Sequence, residues 1–286
     1  MVNIKKIKAK MAYWHMCNII SKRPLDINIE TITFCPLSCK FCCNRLYKRE
    51  MQVMSNELFE KIIAQYCEIG GGVLGIGSMQ SDFMSDPKLL ERIEIIKKYK
   101  KHLWIHSTTP LISAAKFNDK ELSSILECFN SLEVSAEGYD KKSYQEMSGV
   151  DGFEVFYEQI HRVQRIIERN TLELDLQISF RTYEKEKLLQ SEFYALISNM
   201  FHVREVRDSF FSWFGSIKSQ DLPEGAKVHL SNNTDKRVDC VASNATLAIQ
   251  ANGKVVGCGC IDWLEKYCVG DVNNNTLTTL QNLFHQ

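Results

Sequence analysis

Three cysteines within eight residues constrain this chain more than any other feature. The stretch reads Cys35-Pro-Leu-Ser-Cys39-Lys-Phe-Cys42, a C-x3-C-x2-C spacing, and it follows the apolar, strand-like run 27–33. Three thiolates on one tight loop form a soft, electron-rich ligand set, which favours zinc or iron–sulfur. Three ligands are one short of a tetrahedral zinc or a four-iron cluster. The loop therefore indicates a metal centre with one position open to a small molecule.

Two other uses of these cysteines compete with that interpretation. A zinc loop could be completed by Cys43 or by a distant segment, although structural zinc sites usually bring paired C-x2-C knuckles, often with His. Burial in a core without metal is the second alternative, because Cys is among the most buried residue types. The intervening Pro and Lys make three cysteines in eight residues a poor core pattern.

Composition limits the class of protein and its surroundings. The 286 residues are 44% hydrophobic, enough for a large core and one or two domains. The formal net charge is zero, so no overall field favours nucleic acid or a membrane surface. We find no secretory signal and no apolar run of the ~20 residues that span a membrane. Eleven clustered cysteines, an odd count, predict a cytoplasmic protein that uses thiols for metal rather than for disulfides.

Hydrophobic periodicity predicts strands that alternate with helices. The predicted strands are 27–33, 73–76, 103–105, 132–135, 174–180 and 203–206. The predicted helices begin after Ser55 and after Asp86-Pro87, and cover 118–127, 152–169 and 187–200. Such alternation predicts an α/β protein built from parallel βαβ units, wound into an open, three-quarter barrel. Chemistry in such folds lies at the carboxyl ends of the strands, where the cysteine loop begins.

The last seventy residues form a second cysteine pattern after an aromatic run at 210–214. Two predicted strands, 245–250 and 254–256, flank an Asn252-Gly253 hairpin turn. The hairpin would bring Cys240 near Cys258, and Cys260 and Cys268 can complete a set of four thiolates. Four thiolates suit zinc or a fully ligated four-iron cluster. The predicted organisation is a lead-in at 1–25, a barrel domain at 26–215 and a C-terminal domain at 216–286.

The first cysteine loop, with Phe41 before its last cysteine, resembles that of the radical S-adenosylmethionine (SAM) enzymes. The resemblance implies a partial (β/α)6 TIM-like barrel. It also implies that Cys35, Cys39 and Cys42 hold three irons of a [4Fe-4S] cluster, whose fourth iron is chelated by the amino and carboxylate groups of SAM. In this family the reduced cluster cleaves SAM to methionine and a 5′-deoxyadenosyl radical, which removes a hydrogen atom from the substrate.

The resemblance also implies a set of SAM contacts after successive strands. Gln80-Ser81-Asp82 stands where the family has a Gly-Gly-Glu turn for the SAM amino group, and a polar loop without that role is the alternative. Ser107 and Thr109 lie in a turn that resembles the family's Thr-Asn-Gly turn. The remaining implied contacts are Phe41, Ser135, Glu137 and Arg181, of which Arg181 is expected near the SAM carboxylate or in a surface ion pair.

The C-terminal pattern C-x12-G-x4-C resembles the auxiliary-cluster module called SPASM, in its short form named twitch. This resemblance implies one auxiliary [4Fe-4S] cluster with Cys240, Cys258, Cys260 and Cys268 as its ligands.

Together these features favour a radical SAM oxidoreductase, similar in layout to 2-deoxy-scyllo-inosamine dehydrogenase. The expected reaction is a two-electron oxidation of a small polar substrate, such as a sugar or aminocyclitol, with the auxiliary cluster accepting an electron and a flavodoxin- or ferredoxin-type reductant as partner. A lead-in too short for a leader-binding domain favours the small substrate. The alternatives are a ribosomal-peptide maturase that makes a crosslink, an epimerisation or an oxidation, and a non-catalytic zinc-binding interaction module.

Overall fold

The computed structural model describes residues 23–47, 49–77, 80–213, 215–229, 245–259, 262 and 264–284. The strands in these ranges are β1 (Asp26–Ile29), β2 (Gly72–Ile76), β3 (Leu103–Thr109), β4 (Ser131–Ala136), β5 (Asp175–Arg181), β6 (His202–Arg207), β7 (Ser209–Phe211), β8 (Lys227–His229), β9 (Thr246–Ile249), β10 (Lys254–Val256) and β11 (Cys268–Asp271). The helices are α1 (Asn56–Glu68), α2 (Leu89–Tyr99), α3 (Asp119–Cys128), α4 (Lys141–Ser148), α5 (Phe153–Asn170), α6 (Lys185–Gln190), α7 (Glu192–Met200) and α8 (Leu277–Phe284). None of the described helices is long and apolar enough to cross a membrane.

The main sheet follows the chain from β1 to β6. Its strands lie in the order β11-β10-β9-β1-β2-β3-β4-β5-β6, and every pair from β1 to β6 is parallel. Parallel neighbours in chain order require a crossover after each strand, and helices provide most of these crossovers. This arrangement confirms the predicted α/β class and agrees with a partial radical SAM barrel.

Strand alternation divides the sheet into a buried face and a polar face. Apolar residues of β1 to β5 alternate into the main core, as Ile27, Leu74, Ile105, Leu132 and Ile178 do. The intervening positions are polar in most strands and less buried; they include Asn28, His106, Glu133 and Gln177. The core therefore lies between the sheet and its helices, and the opposite face is available to polar groups.

The C-terminal hairpin joins the same sheet. Strand β9 pairs in parallel with β1, with Thr246 opposite Asp26, and β10 returns antiparallel to β9. The predicted Asn252-Gly253 turn is present, and Gly253 adopts a φ of +92°, which favours glycine. The parallel docking of β9 on β1 and the third strand β11 were not predicted. The domain boundary at 216 remains a prediction.

Two predicted elements differ from the structure, and one helix was not predicted. Strand β1 ends at Ile29, after which the chain leaves the sheet and Ile32 forms an isolated antiparallel bridge with Val53. The helix predicted at 187–200 is two helices, because Ser191 is extended and its hydroxyl caps α7 by accepting from the Tyr194 amide. Helix α4 was missed because it is short and mostly polar.

Candidate active site

The cysteine loop begins after the carboxyl end of β1 and folds into a compact turn. The Cys42 amide donates a hydrogen bond of 3.0 Å to the Cys39 carbonyl, and a 3-10 turn, Cys43–Arg45, follows at once. Cys39 is buried, and Cys35 and Cys42 are partly buried. The described cysteines are all free of disulfides. The three thiols are therefore available as ligands on one sheltered loop.

The carboxyl end of α4 holds this loop in place. The Ser38 amide donates to the Ser148 carbonyl at 2.8 Å, and the Lys40 amide donates to the Met147 carbonyl at 2.9 Å. Gly149 ends the helix with a φ of +75°, and a Cβ atom there would lie only 2.7 Å from the Ser38 carbonyl oxygen. The close approach of helix and loop thus requires glycine at this position.

The three thiols share one electrostatic environment. Burial raises the pKa of Cys35 and of Cys39. The nearby charge of Asp82 raises the pKa of Cys35 further, and the charge of Glu137 acts in the same direction on both thiols. The pKa of Cys42 is lowered, chiefly because the Cys43 thiol hydrogen-bonds to it. The charge of Glu137 opposes this lowering of the pKa of Cys42.

The donor set fits an iron–sulfur cluster with one iron left without a protein ligand. Among the described residues, no three His, Cys, Asp or Glu side chains converge on a single metal ion. In a four-iron cluster each thiolate binds a different iron, so three sulfurs need not converge on one point. The neighbouring Cys43 is fully buried and packs in a small apolar cluster with Met147, Phe210 and Trp213. Soft thiols on a half-buried loop are the ligands such a cluster needs.

A buried polar network follows β4 and β5 beside the thiols. The Ser135 hydroxyl donates to Glu137 Oε1 and accepts from Arg181 Nη1 at 2.6 Å. Glu137 is 2% exposed, and its Oε2 has no hydrogen-bond partner within the described part of the chain. Burial raises the pKa of Glu137, and the charge of Arg181 opposes that shift. The guanidinium of Arg181 also lies 5.9 Å from the ring centre of Phe41 and 3.7 Å from Glu133.

The structure thus brings together four of the predicted SAM contacts, namely Phe41, Ser135, Glu137 and Arg181. The predicted ion pair of Arg181 is present as well, but it lies at a largely buried site rather than on the surface. Their contact with SAM remains a prediction.

Asp82, another predicted SAM contact, is held in a hydrogen-bond network of its own, and its contact with SAM remains a prediction. Its carboxylate is 0% exposed and accepts hydrogen bonds from Thr109 Oγ1 at 2.9 Å, from the Met84 amide at 3.2 Å and from Ser85 Oγ at 3.2 Å. Burial raises the pKa of Asp82. The carboxylate therefore braces the turn after β2 against the end of β3.

The other predicted contacts near this turn are also enclosed. Strand β3 runs on to Thr109, so alternation places Ser107 and Thr109 on the helix-covered face. The Ser107 hydroxyl donates to the Ile76 carbonyl. Gln80 is buried and Ser81 is partly buried. SAM contact by these four residues stays a prediction.

An aromatic bridge packs over the cysteine loop. The rings of Phe41 and Phe210 stack at 4.6 Å between centroids, and Trp213 Nε1 donates to the Phe41 carbonyl at 2.8 Å. Both Phe210 and Trp213 are buried. Phe210 and Trp213 of the aromatic run therefore pack against the cysteine loop at Phe41.

A cavity of about 880 Å³ opens beside the same loop. Lys40 of the loop contributes to it, together with α4 and the segments that follow β5 and β7. Its lining residues are Lys40, Lys142, Gln145, Glu146, Gly149, Tyr183, Glu184, Asp221, Leu222, Pro223 and Glu224.

Two of the four predicted auxiliary ligands lie in the described ranges. Cys268 begins β11 opposite Val256 of β10, and Cys258 follows β10 by two residues. The Gly257 amide donates to the Tyr267 carbonyl at 2.9 Å, which joins the two segments. Cys240 and Cys260 lie outside the described residues.

Asp262 organises the loop between these cysteines, a role that we did not predict. It is 5% exposed, its amide donates to the Cys258 carbonyl at 3.0 Å, and its carboxylate accepts from the Lys266 and Tyr267 amides, both at 2.8 Å. Its place two residues after Cys260 was the available sequence signal.

The fold is a partial α/β barrel, and a loop with three free cysteines follows its first strand. These two features together define a class of enzyme. A family model described as the radical SAM superfamily matches residues 29–177, more than half of the chain, and the protein belongs to that superfamily. Its cofactors are accordingly SAM and a [4Fe-4S] cluster. No curated protein matches this sequence.

Several solved structures share the fold at low sequence identity. BtrN in complex with AdoMet and 2-DOIA is 13% identical with a TM-score of 0.56, over 91% of this chain and 84% of BtrN. Streptococcus suis SuiB bound to precursor peptide SuiA is 15% identical with a TM-score of 0.62, over 100% of this chain and 72% of SuiB. The enzyme anSMEcpe with bound AdoMet is 12% identical with a TM-score of 0.60, over 91% of this chain and 78% of anSMEcpe.

Proposed function

We propose that this protein is a radical SAM oxidoreductase that dehydrogenates a small polar substrate, such as a sugar or an aminocyclitol. The observation that carries the proposal is the arrangement of two cysteine sets about strand β1. SAM bound at the first set supplies a 5′-deoxyadenosyl radical that removes a hydrogen atom from substrate.

Strand register gives the position of Cys258, one of the proposed auxiliary ligands, relative to β1. The cysteine loop leaves the carboxyl end of β1, whereas Val256 pairs with Ala248 of β9, which pairs with Asn28. Since β10 runs antiparallel to β9, Cys258 lies toward the amino end of β1. The cysteine loop and Cys258 therefore lie toward opposite ends of this four-residue strand.

The residues of this chain would bind, orient and enclose the reactants. Cys35, Cys39 and Cys42 would hold the SAM cluster, while Ser135 and Arg181 are placed to bind a carboxylate beside it. The polar face offers His106, Glu133 and Gln177 as hydrogen-bonding groups for a hydroxylated substrate. Burial and the charge of Arg204 lower the pKa of His106, so its ring is neutral near pH 7 and can both donate and accept.

The auxiliary ligands that we propose are Cys240, Cys258, Cys260 and Cys268. The described pair, Cys258 and Cys268, is supported by the pairing of β10 with β11 and by Asp262, which hydrogen-bonds to the Cys258 carbonyl and the Tyr267 amide. A flavodoxin- or ferredoxin-type protein is the proposed reductant. We also propose a cytoplasmic location, supported by free thiols at all described cysteines.

Peptide maturation is the second candidate. SuiB, whose structure contains the precursor peptide SuiA, aligns with the whole of this chain. A crosslink, an epimerisation or an oxidation of a ribosomal peptide would use the same radical site.

The experiment compares the two substrate classes in anaerobically reconstituted, reduced protein with SAM. Deuterated aminocyclitols and sugars form one panel and candidate precursor peptides the other, and mass spectrometry follows substrate and 5′-deoxyadenosine. Our proposal predicts deuterium transfer to 5′-deoxyadenosine and loss of two hydrogens from a small substrate. Reaction of peptides alone would support the second candidate.

The Cys258→Ala variant tests the auxiliary site. We expect it to keep SAM cleavage but to lose oxidised product, because the substrate radical then has no electron acceptor. Normal product from this variant would disprove the proposed role. Zinc without sulfide in the wild-type protein would favour the non-catalytic zinc module.

A further inference from the structure

Glu137 carries a buried polar atom without a hydrogen-bond partner among the described residues near the cysteine loop. Its side chain is 2% exposed, one carboxylate oxygen accepts from Ser135, and the other has no hydrogen-bond partner in the described structure. A buried acceptor without a donor is unfavourable, and a charged one more so. Such an atom in a native fold requires an explanation, and a hydrogen-bond donor on a bound ligand is one.

The position of this oxygen narrows the choice of ligand. Glu137 lies in the network of Arg181, whose guanidinium is 5.9 Å from the ring centre of Phe41, the residue next to Cys42. Ser135 joins it to Arg181, which provides a cation on the same side. A ligand that fits this pair carries a hydrogen-bond donor for Glu137 and a carboxylate for Arg181, as an amino acid does.

Asp82, which stands where the family pattern places an acidic residue, is not available for that donor. Its Oδ1 already accepts from Thr109 and the Met84 amide, and its Oδ2 accepts from Ser85. The side chain is fully buried. To contact SAM, Asp82 would have to break hydrogen bonds that hold the turn after β2.

We propose that Glu137, through Oε2, accepts the hydrogen bond from the amino group of bound SAM, and that Asp82 does not. The family pattern has its acidic acceptor in the turn after β2, whereas in this chain the acceptor follows β4. This inference rests on the proposed function, since it requires SAM at the three-cysteine loop.

The test measures affinity rather than turnover. Equilibrium dialysis without oxygen gives the Kd of the cluster-loaded protein for SAM and for its desamino analogue, in which hydrogen replaces the amino group. Wild-type protein should prefer SAM, through iron chelation and through Glu137. In Glu137→Gln the preference should fall about tenfold or more, because a charge-assisted hydrogen bond is lost.

Asp82→Asn is the matched variant, and it should keep the wild-type preference whatever its overall affinity. An unchanged preference in Glu137→Gln, or a preference lost only in Asp82→Asn, would overturn the inference. If Glu137→Gln loses iron, Glu137→Asp replaces it, and the shorter side chain should show the same fall. Wild-type protein that carries its irons but binds no SAM would instead disprove the proposed function.

Discussion

Arg49 forms a two-pronged ion pair with Glu30, just beyond the carboxyl end of β1. Arg49 Nη1 lies 3.0 Å from Glu30 Oε2 and 3.1 Å from the Gln250 side-chain oxygen, while Nη2 binds Glu30 Oε1. Glu30 is 1% exposed and Gln250 is 3% exposed. The Arg49 guanidinium therefore links Glu30, which follows β1 and precedes the cysteine loop, to Gln250, which follows β9 in the C-terminal hairpin.

Arg49→Met should destabilise the protein by about 3 kcal/mol, because Glu30 keeps a buried charge after its cationic partner is gone. Urea unfolding of the cluster-loaded protein measures the change. The control is Lys98→Met, which removes the exposed ion pair with Glu60 and should change the stability little. Equal losses in the two variants would contradict the structural role of Arg49.

Gly149→Ala should release the cysteine loop and lower the iron content. The new methyl group meets the Ser38 carbonyl at 2.7 Å in a backbone with a φ of +75°. Gly215→Ala is a matched control, since its φ is +81° but nothing lies within 4 Å of the added carbon. Iron and sulfide are counted after anaerobic reconstitution. Full iron in Gly149→Ala would show that this contact does not set the loop.

Asp26→Asn should stabilise the protein at pH 8 and change little at pH 4. Burial raises the pKa of Asp26 from 3.8 to about 6, so the folded state binds this proton more tightly than the unfolded chain does. The stability from that proton is complete below pH 3.8 and is lost as the pH rises through about 6. At pH 8 the amide should gain about 1–2 kcal/mol, since each pKa unit is worth about 1.4 kcal/mol and the site is only partly buried.

Urea unfolding at both values of pH checks this prediction. Asp151→Asn, at an exposed carboxylate paired with Lys141, serves as the control and should change little at either pH. A loss of stability in Asp26→Asn at pH 8 would mean that its hydrogen bonds with Asn28 and Thr246 outweigh the cost of burying its charge.

Local patterns predicted the parts of this fold that depend on neighbouring residues. The cysteine spacing identified the loop, and the Asn252-Gly253 dipeptide identified the hairpin, because a turn is decided by the conformations its own residues allow. The alternating strands and helices gave the α/β class for the same reason. The pairing of β9 with β1 could not be predicted, since it joins residues more than two hundred positions apart.

The candidate site shows the same limit at the level of single side chains. The family resemblance assigned Asp82 to the SAM amino group and gave Glu137 only as a further contact. Only packing shows that Thr109, Met84 and Ser85 saturate one carboxylate while the other keeps a free oxygen. The contact between α4 and the cysteine loop was not predicted. It consists of hydrogen bonds to the backbone carbonyls of Met147 and Ser148, and backbone groups leave no signal in the sequence.

The most direct test of the account is the formation of 5′-deoxyadenosine by anaerobically reconstituted, reduced protein given SAM. With about eight irons per chain, the count for two four-iron clusters, the wild-type protein should release 5′-deoxyadenosine and methionine, and Cys39→Ala should release neither. Cluster-loaded wild-type protein that leaves SAM intact under reduction, or a Cys39→Ala variant that cleaves it as fast as wild type, would contradict the account.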